Sequence, residues 1–212
     1  MPIDTNKRNF YTDLVLCIDA SAEEKWAKKL AMDICMGYCK RFSEYHEDSF
    51  ELQFKVKIIS FSGKGSICES EFLDVKNDFD GLFDAVLSVK MGEEAPSEDN
   101  TAEAIASAIC SKWSRKRNCI YTDEFYGFRN LVVVISDSKL EHLKELSKIN
   151  ELWNNKYVIN SAERRMCVVA PCCDFWDAFD LFEGPVWHVE DNKDYEELDI
   201  EPLANFFVNE DL

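Results

Sequence analysis

Leu14-Val15-Leu16-Cys17-Ile18-Asp19-Ala20-Ser21-Ala22-Glu23 passes in one step from five apolar residues to a carboxylate, a hydroxyl and a second carboxylate. An unbroken apolar run of this length reads as a strand buried on both faces, the form strands take in the middle of a parallel sheet. Polar residues directly after such a strand stand where open α/β sheets hold their ligands. A second run, Leu131-Val132-Val133-Val134-Ile135, ends in the same way on Ser136-Asp137-Ser138, and Thr101 opens a helical pattern between the two. Asp19, Ser21, Thr101 and Asp137 form an oxygen-only donor set, which suits a hard cation such as magnesium or manganese.

Outward from this stretch, strand and helix patterns alternate. Trp26, Leu30, Ile34, Tyr38 and Phe42 recur at every fourth position, predicting a long amphipathic helix from about Glu23 to Tyr45. Leu52 to Phe61 and Ile67 to Val75, joined by Gly63-Lys64-Gly65, read as a hairpin with a polar edge strand. Phe79 to Val86 predicts a short helix. Ala102, Ile105, Ala106, Ile109 and Trp113 give an apolar stripe on a helix that starts at Thr101. Leu140 to Ile149 and Asp174 to Phe182 read as helices, Met166 to Ala170 and Val186 to Val189 as strands, and Pro202 to Val208 as a closing helix. The expected fold is α/β: a doubly wound, mostly parallel sheet with one antiparallel edge hairpin and helices on both faces, residues 1–212 forming one domain.

Charge narrows the partners. With 41 acidic against 24 basic residues the chain carries a formal charge of -17, which argues against nucleic acid and against an anionic membrane surface. The tail from Glu190 to Asp211 adds a strongly acidic face. No run of apolar residues reaches transmembrane length and no secretory signal pattern opens the chain, so a cytoplasmic location is expected. The nine cysteines, among them Cys17, Cys35, Cys110 and Cys167 inside apolar patterns, read as reduced, buried residues. Cys35 and Cys39 lie one helical turn apart and Cys172-Cys173 are adjacent, without paired zinc spacing. His46, His142 and His188 read as isolated, with no Cys-His pairing at a strand end.

The order and spacing of Asp19-Ala20-Ser21-Ala22-Glu23, Thr101 and Ile135-Ser136-Asp137 resemble a von Willebrand factor A (VWA) domain. Such a domain carries a metal-ion-dependent adhesion site (MIDAS) built from D-x-S-x-S after the first strand, a Thr opening a middle helix and an Asp after the fourth strand. Ser97-Glu98-Asp99-Asn100-Thr101 with Trp113 is similar to stand-alone bacterial members of the family, including the tellurium-resistance type. The resemblance implies a non-enzymatic module that binds a protein partner through magnesium or manganese, with Asp19, Ser21, Glu23, Thr101 and Asp137 around the ion. Glu23 replaces the second Ser of the pattern and Ser138 a Gly. A third carboxylate at Glu23 would neutralise the ion or occupy its open position.

Other readings stay open. Ser21-Ala22-Glu23-Glu24 is also a capping box, and Thr101 is also a plausible N-cap. A magnesium-dependent phosphoryl-transfer or hydrolytic enzyme, of the haloacid-dehalogenase type, would need a second acid where Ser21 stands. A VWA scaffold with a vacant site is the third reading. The loops 91–100 and 118–127, the latter with Tyr121, Phe125 and Tyr126, are expected to share the top of the sheet with Asp19 and to offer a contact surface.

Overall fold

A computed structural model describes residues 8–21, 26–44, 50–62, 66–91, 100–114, 125–138, 144–155, 163–182, 184–190 and 198. The apolar run ending in Asp19 forms the central strand β1 (Arg8–Asp19), with Leu14, Val15, Leu16, Cys17 and Ile18 fully buried. It pairs in parallel with β2 (Phe50–Ser62) on one side and β5 (Phe125–Ile135) on the other. Beyond them lie β3 (Ser66–Glu69) and β4 (Leu73–Asp74), both antiparallel to β2, and β6 (Glu163–Ala170) and β7 (Val186–His188), both parallel. The strand order is β3-β2-β1-β5-β6-β7, with β4 also on β2. The expected sheet is present: mostly parallel, with one antiparallel edge.

Alternation along β1 divides the core in two. Leu14, Leu16 and Ile18 face one layer, which contains Trp26, Leu30, Ile34 and Tyr38 of α1 (Trp26–Glu44) and Leu82 and Val86 of α2 (Phe79–Ser88). Val15 and Cys17 face the other, which holds Ala104, Ile105, Ala108 and Ile109 of α3 (Thr101–Ile109), Ile149 and Trp153 of α4 (Lys144–Asn154), and Phe175 and Trp176 of α5 (Asp174–Asp177). Phe179 and Phe182 extend this layer from a 3-10 helix, Ala178–Phe182. The result is a three-layer α/β/α sandwich.

Four expectations are corrected. The α3 stripe does not run on to Trp113: the helix ends at Ile109, and Trp113 folds back to donate its indole N–H to the Ile109 carbonyl at 2.9 Å. The edge strand is broken. Ile59 pairs with Glu69 and Lys55 with Asp74, so the edge carries one residue more than β2 between the two contacts. The Ser70 hydroxyl accepts the Ile58 amide at 2.9 Å at this bulge, which blunts the edge against further pairing. Cys110 is exposed just past the end of α3, whereas Cys17, Cys35 and Cys167 are buried. Finally, β5 begins at Phe125, opposite Arg8, so Phe125, Tyr126 and Gly127 lie at the end of the sheet remote from Asp19. An eleven-residue strand puts about 30 Å between them. Tyr121, the 92–99 part of the other loop and the closing helix at 202–208 lie outside the described residues.

Candidate metal centre

Chain direction creates the site. From β1 the chain crosses to β2 on one side and later returns through α3 to β5 on the other, which makes the C-terminal ends of β1 and β5 a topological switch point. Helices cannot cover the sheet there, and the crevice between diverging connections is where doubly wound folds bind ligands.

Asp19 is the last residue of β1 and is 2% exposed. One carboxylate oxygen accepts the Ser21 amide at 3.0 Å and the Ser21 hydroxyl at 2.5 Å. The other accepts the hydroxyls of Ser136 at 2.6 Å and Ser138 at 2.8 Å. The Ser138 amide in turn donates to Ser136 Oγ at 3.1 Å, and the Ser138 carbonyl accepts the Trp176 indole at 3.0 Å. Among the described residues the partners of this buried carboxylate are all neutral donors.

The end of β2 brings α3 to the same place. The Ala20 amide donates to the Phe61 carbonyl at 2.7 Å, and Asn100 Nδ2 reaches the next carbonyl, that of Ser62, at 3.5 Å. Thr101 follows Asn100 as the first residue of α3 and is buried. It is therefore not the N-cap. Asn100 holds that position, and its side chain turns to β2 instead of capping the helix. Ser21, half-buried, donates both its amide and its hydroxyl to Asp19; the described part of α1 starts at Trp26, and residues 22–25, on which a capping box would rest, lie outside the described residues. Asp137 is half-buried between the two serines that hold Asp19. Glu23 lies outside the described residues.

Sequence reasoning missed Ser136 and Ser138. The signal was the same alternation that divides the core. Val132 and Val134 face the α3 layer with Val15 and Cys17, so the next residue of that parity, Ser136, arrives on the side of Asp19. The Ser136 amide still bonds the Val169 carbonyl at 3.0 Å, which extends the strand geometry one residue past β5.

Beside the site a cleft of about 300 Å³ opens at the β2–β3 edge, with Ala20, Ser60, Ser62, Glu69, Ser88 and Lys90 in its walls. On the far side, His188 is not isolated as expected: its ring reaches Asp177 at 3.1 Å, with Cys172 in the same cluster.

No family model and no curated protein matches the sequence. Solved structures do match. Proximal thread matrix protein 1 from the mussel byssus aligns with a TM-score of 0.57 at 14% identity, over 97% of this chain and 47% of its own. The fold is VWA-like. The PilB minor pilin from Streptococcus sanguinis gives 0.58 at 8% identity, over 97% of this chain and 62% of its own. A second structure of the mussel protein, with a zinc-occupied MIDAS motif, gives 0.53 at 13% identity, over 92% of this chain and 45% of that one. This chain spans from 45% to 62% of the length of these VWA-like structures. At such identities the likeness is one of fold. No helix among the described residues is long and apolar enough to cross a membrane.

Proposed function

We propose that this chain is a non-enzymatic protein-interaction module that engages its partner through a divalent cation, magnesium or manganese, held by Asp19, Ser21, Thr101 and Asp137, with Glu23 as a further carboxylate. One observation carries the reading: Asp19 is a buried carboxylate whose partners among the described residues are neutral hydroxyls and an amide. A buried charge without a countercharge is costly, and a bound cation supplies one. The donor set fits a hard ion, since Asp19, Ser21, Thr101 and Asp137 offer only oxygen. When bound, the ion would offer an open position to an acidic side chain of the partner. In this scheme Ser136 and Ser138 orient the Asp19 carboxylate, as outer-shell groups do at metal sites, and Ser21 and Thr101 supply hydroxyls from the two flanking segments.

Glu23 enters the set through the family resemblance. The stand-alone bacterial, tellurium-resistance-like subtype and the cytoplasmic location rest equally on the sequence. A non-enzymatic role agrees with Ser21 standing where a phosphatase of this topology needs a second acid.

The test is affinity capture from native lysate, once in magnesium and once in chelator, with the wild-type chain and Asp137→Ala. A partner retained in magnesium, released by chelator and lost in Asp137→Ala supports the module. Capture indifferent to chelator and to Asp137→Ala favours a scaffold with a vacant site. Hydrolysis of phosphate esters that disappears in Asp19→Asn would favour the enzyme.

A further inference from the structure

Cys172, Asp177 and His188 lie outside the oxygen site and come from three separate segments. Cys172 follows β6, two residues past Ala170. His188 sits on β7 directly opposite Ala170. Asp177 closes α5, and its amide bonds the Cys173 carbonyl at 3.0 Å, which folds the short helix back over the strand end. The thiol, a carboxylate oxygen and a ring nitrogen all fall within 4.8 Å of one another, and all three residues are exposed. His188 Nε2 and Asp177 Oδ1 are 3.1 Å apart.

From this juxtaposition we propose a second metal site, specific for a borderline-soft divalent ion of the zinc type and formed by Cys172 Sγ, His188 Nε2 and an Asp177 carboxylate oxygen. The ligand chemistry decides the ion. Thiolate and imidazole beside one carboxylate select zinc, cobalt(II) or cadmium over magnesium, the reverse of the all-oxygen set around Asp19. The spacing agrees. Bonds of about 2.0–2.3 Å in tetrahedral geometry separate ligand atoms by about 3.3–3.8 Å. The His188–Asp177 pair is already near that distance, and the thiol closes the remainder by rotation of an exposed side chain. Binding releases the thiol proton to solvent, His188 ligates as the neutral imidazole with its one ring proton on Nδ1, and the ion replaces the contact between ring and carboxylate. Three protein ligands leave the fourth position to water.

The frame around the ligands is fixed. The Cys172 amide donates to Glu190 Oε1 at 2.8 Å, which ties the turn after β6 to the segment after β7. The Val189 amide bonds the Ala170 carbonyl at 3.1 Å, and Phe175 and Trp176 anchor α5 in the core. Sequence spacing conceals the site, because no two of its ligands fall within a C-x-x-C or H-x-x-x-H pattern. Only the pairing of β7 with β6 brings them together.

Cobalt(II) titration of the reduced 212-residue chain tests the proposal, because a thiolate–cobalt charge-transfer band together with intense visible bands reports tetrahedral coordination through sulfur. One equivalent of cobalt should produce both, excess magnesium should not bleach them, and zinc should. Cys172→Ser should abolish the charge-transfer band, and Asp177→Asn should weaken cobalt binding by at least about tenfold. Asp19→Ala and Cys68→Ser should leave the spectrum unchanged. Far-ultraviolet circular dichroism of each variant establishes that it is folded. Absence of a charge-transfer band in the wild type, its survival in folded Cys172→Ser, or its loss in Cys68→Ser instead would overturn the assignment.

Discussion

Asp19 shows how one residue can be legible while its surroundings are not. A carboxylate after an apolar strand stands out in the sequence, but hydroxyls after β5 look like ordinary loop residues until strand parity is followed to Ser136. Ser136 is fully buried and donates to the buried carboxylate, so Ser136→Ala should cost about 1.5–3 kcal/mol, the range for a hydrogen bond to a charged group. Chemical denaturation in chelator measures this, and an unchanged midpoint would show that the bond contributes nothing. Asp13, also buried on β1, accepts the Ser114 amide at 2.5 Å and hydroxyl at 3.0 Å and ties the turn after α3 to the sheet. Burial pushes its carboxyl above the usual 3.8, against the pull of those two bonds and of Lys55. An acid that binds its proton more tightly when folded contributes stability that is full below pH 3.8 and is lost as pH rises through the folded value. Denaturation midpoints of Asp13→Asn between about pH 3 and 7 should lack this decline relative to wild type. Parallel curves would rule out Asp13 as its source.

At the scale of elements, hydrophobic period was a sound guide to kind and a poor one to extent. The fourfold repeat Trp26, Leu30, Ile34 and Tyr38 is the buried face of α1. Trp113 kept the α3 period and lies in the same core layer, but reaches it after the helix has ended. Periodicity records which residues meet the core and not the backbone that carries them. Position in the sheet was hidden for a related reason: Phe125, Tyr126 and Gly127 read as loop because pairing with β1, not local pattern, extends β5 to them. Gly184 shows a long-range constraint on a short element. A Cβ there would stand 1.8 Å from the Met166 carbonyl oxygen on β6, so the turn before β7 needs glycine to lie against the neighbouring strand. Gly184→Ala should cost about 1–3 kcal/mol through overpacking and should loosen the β6–β7 ladder, read as faster amide exchange at Val168 and Val189. Unaltered melting and exchange would contradict this close approach.

For the whole molecule, the acid excess and the two-sided core have different consequences. The core sets the fold, and its alternating elements made the doubly wound class readable from residue order alone. The charge of -17 makes the compact state repel itself, so monovalent salt should raise the melting temperature of wild type and Asp19→Ala alike. A specific ion behaves otherwise: at a hundredfold excess over its dissociation constant it stabilises the folded state by about 2.7 kcal/mol, and only where its ligands are intact. Calorimetric titration of manganese at fixed ionic strength, into the wild type, Asp19→Ala and Thr101→Val, separates these effects. A saturable one-to-one isotherm in the wild type that vanishes in Asp19→Ala and weakens in Thr101→Val is the predicted result. No binding to the wild type, or equal binding to all three proteins, would contradict a cation held between the ends of β1, α3 and β5.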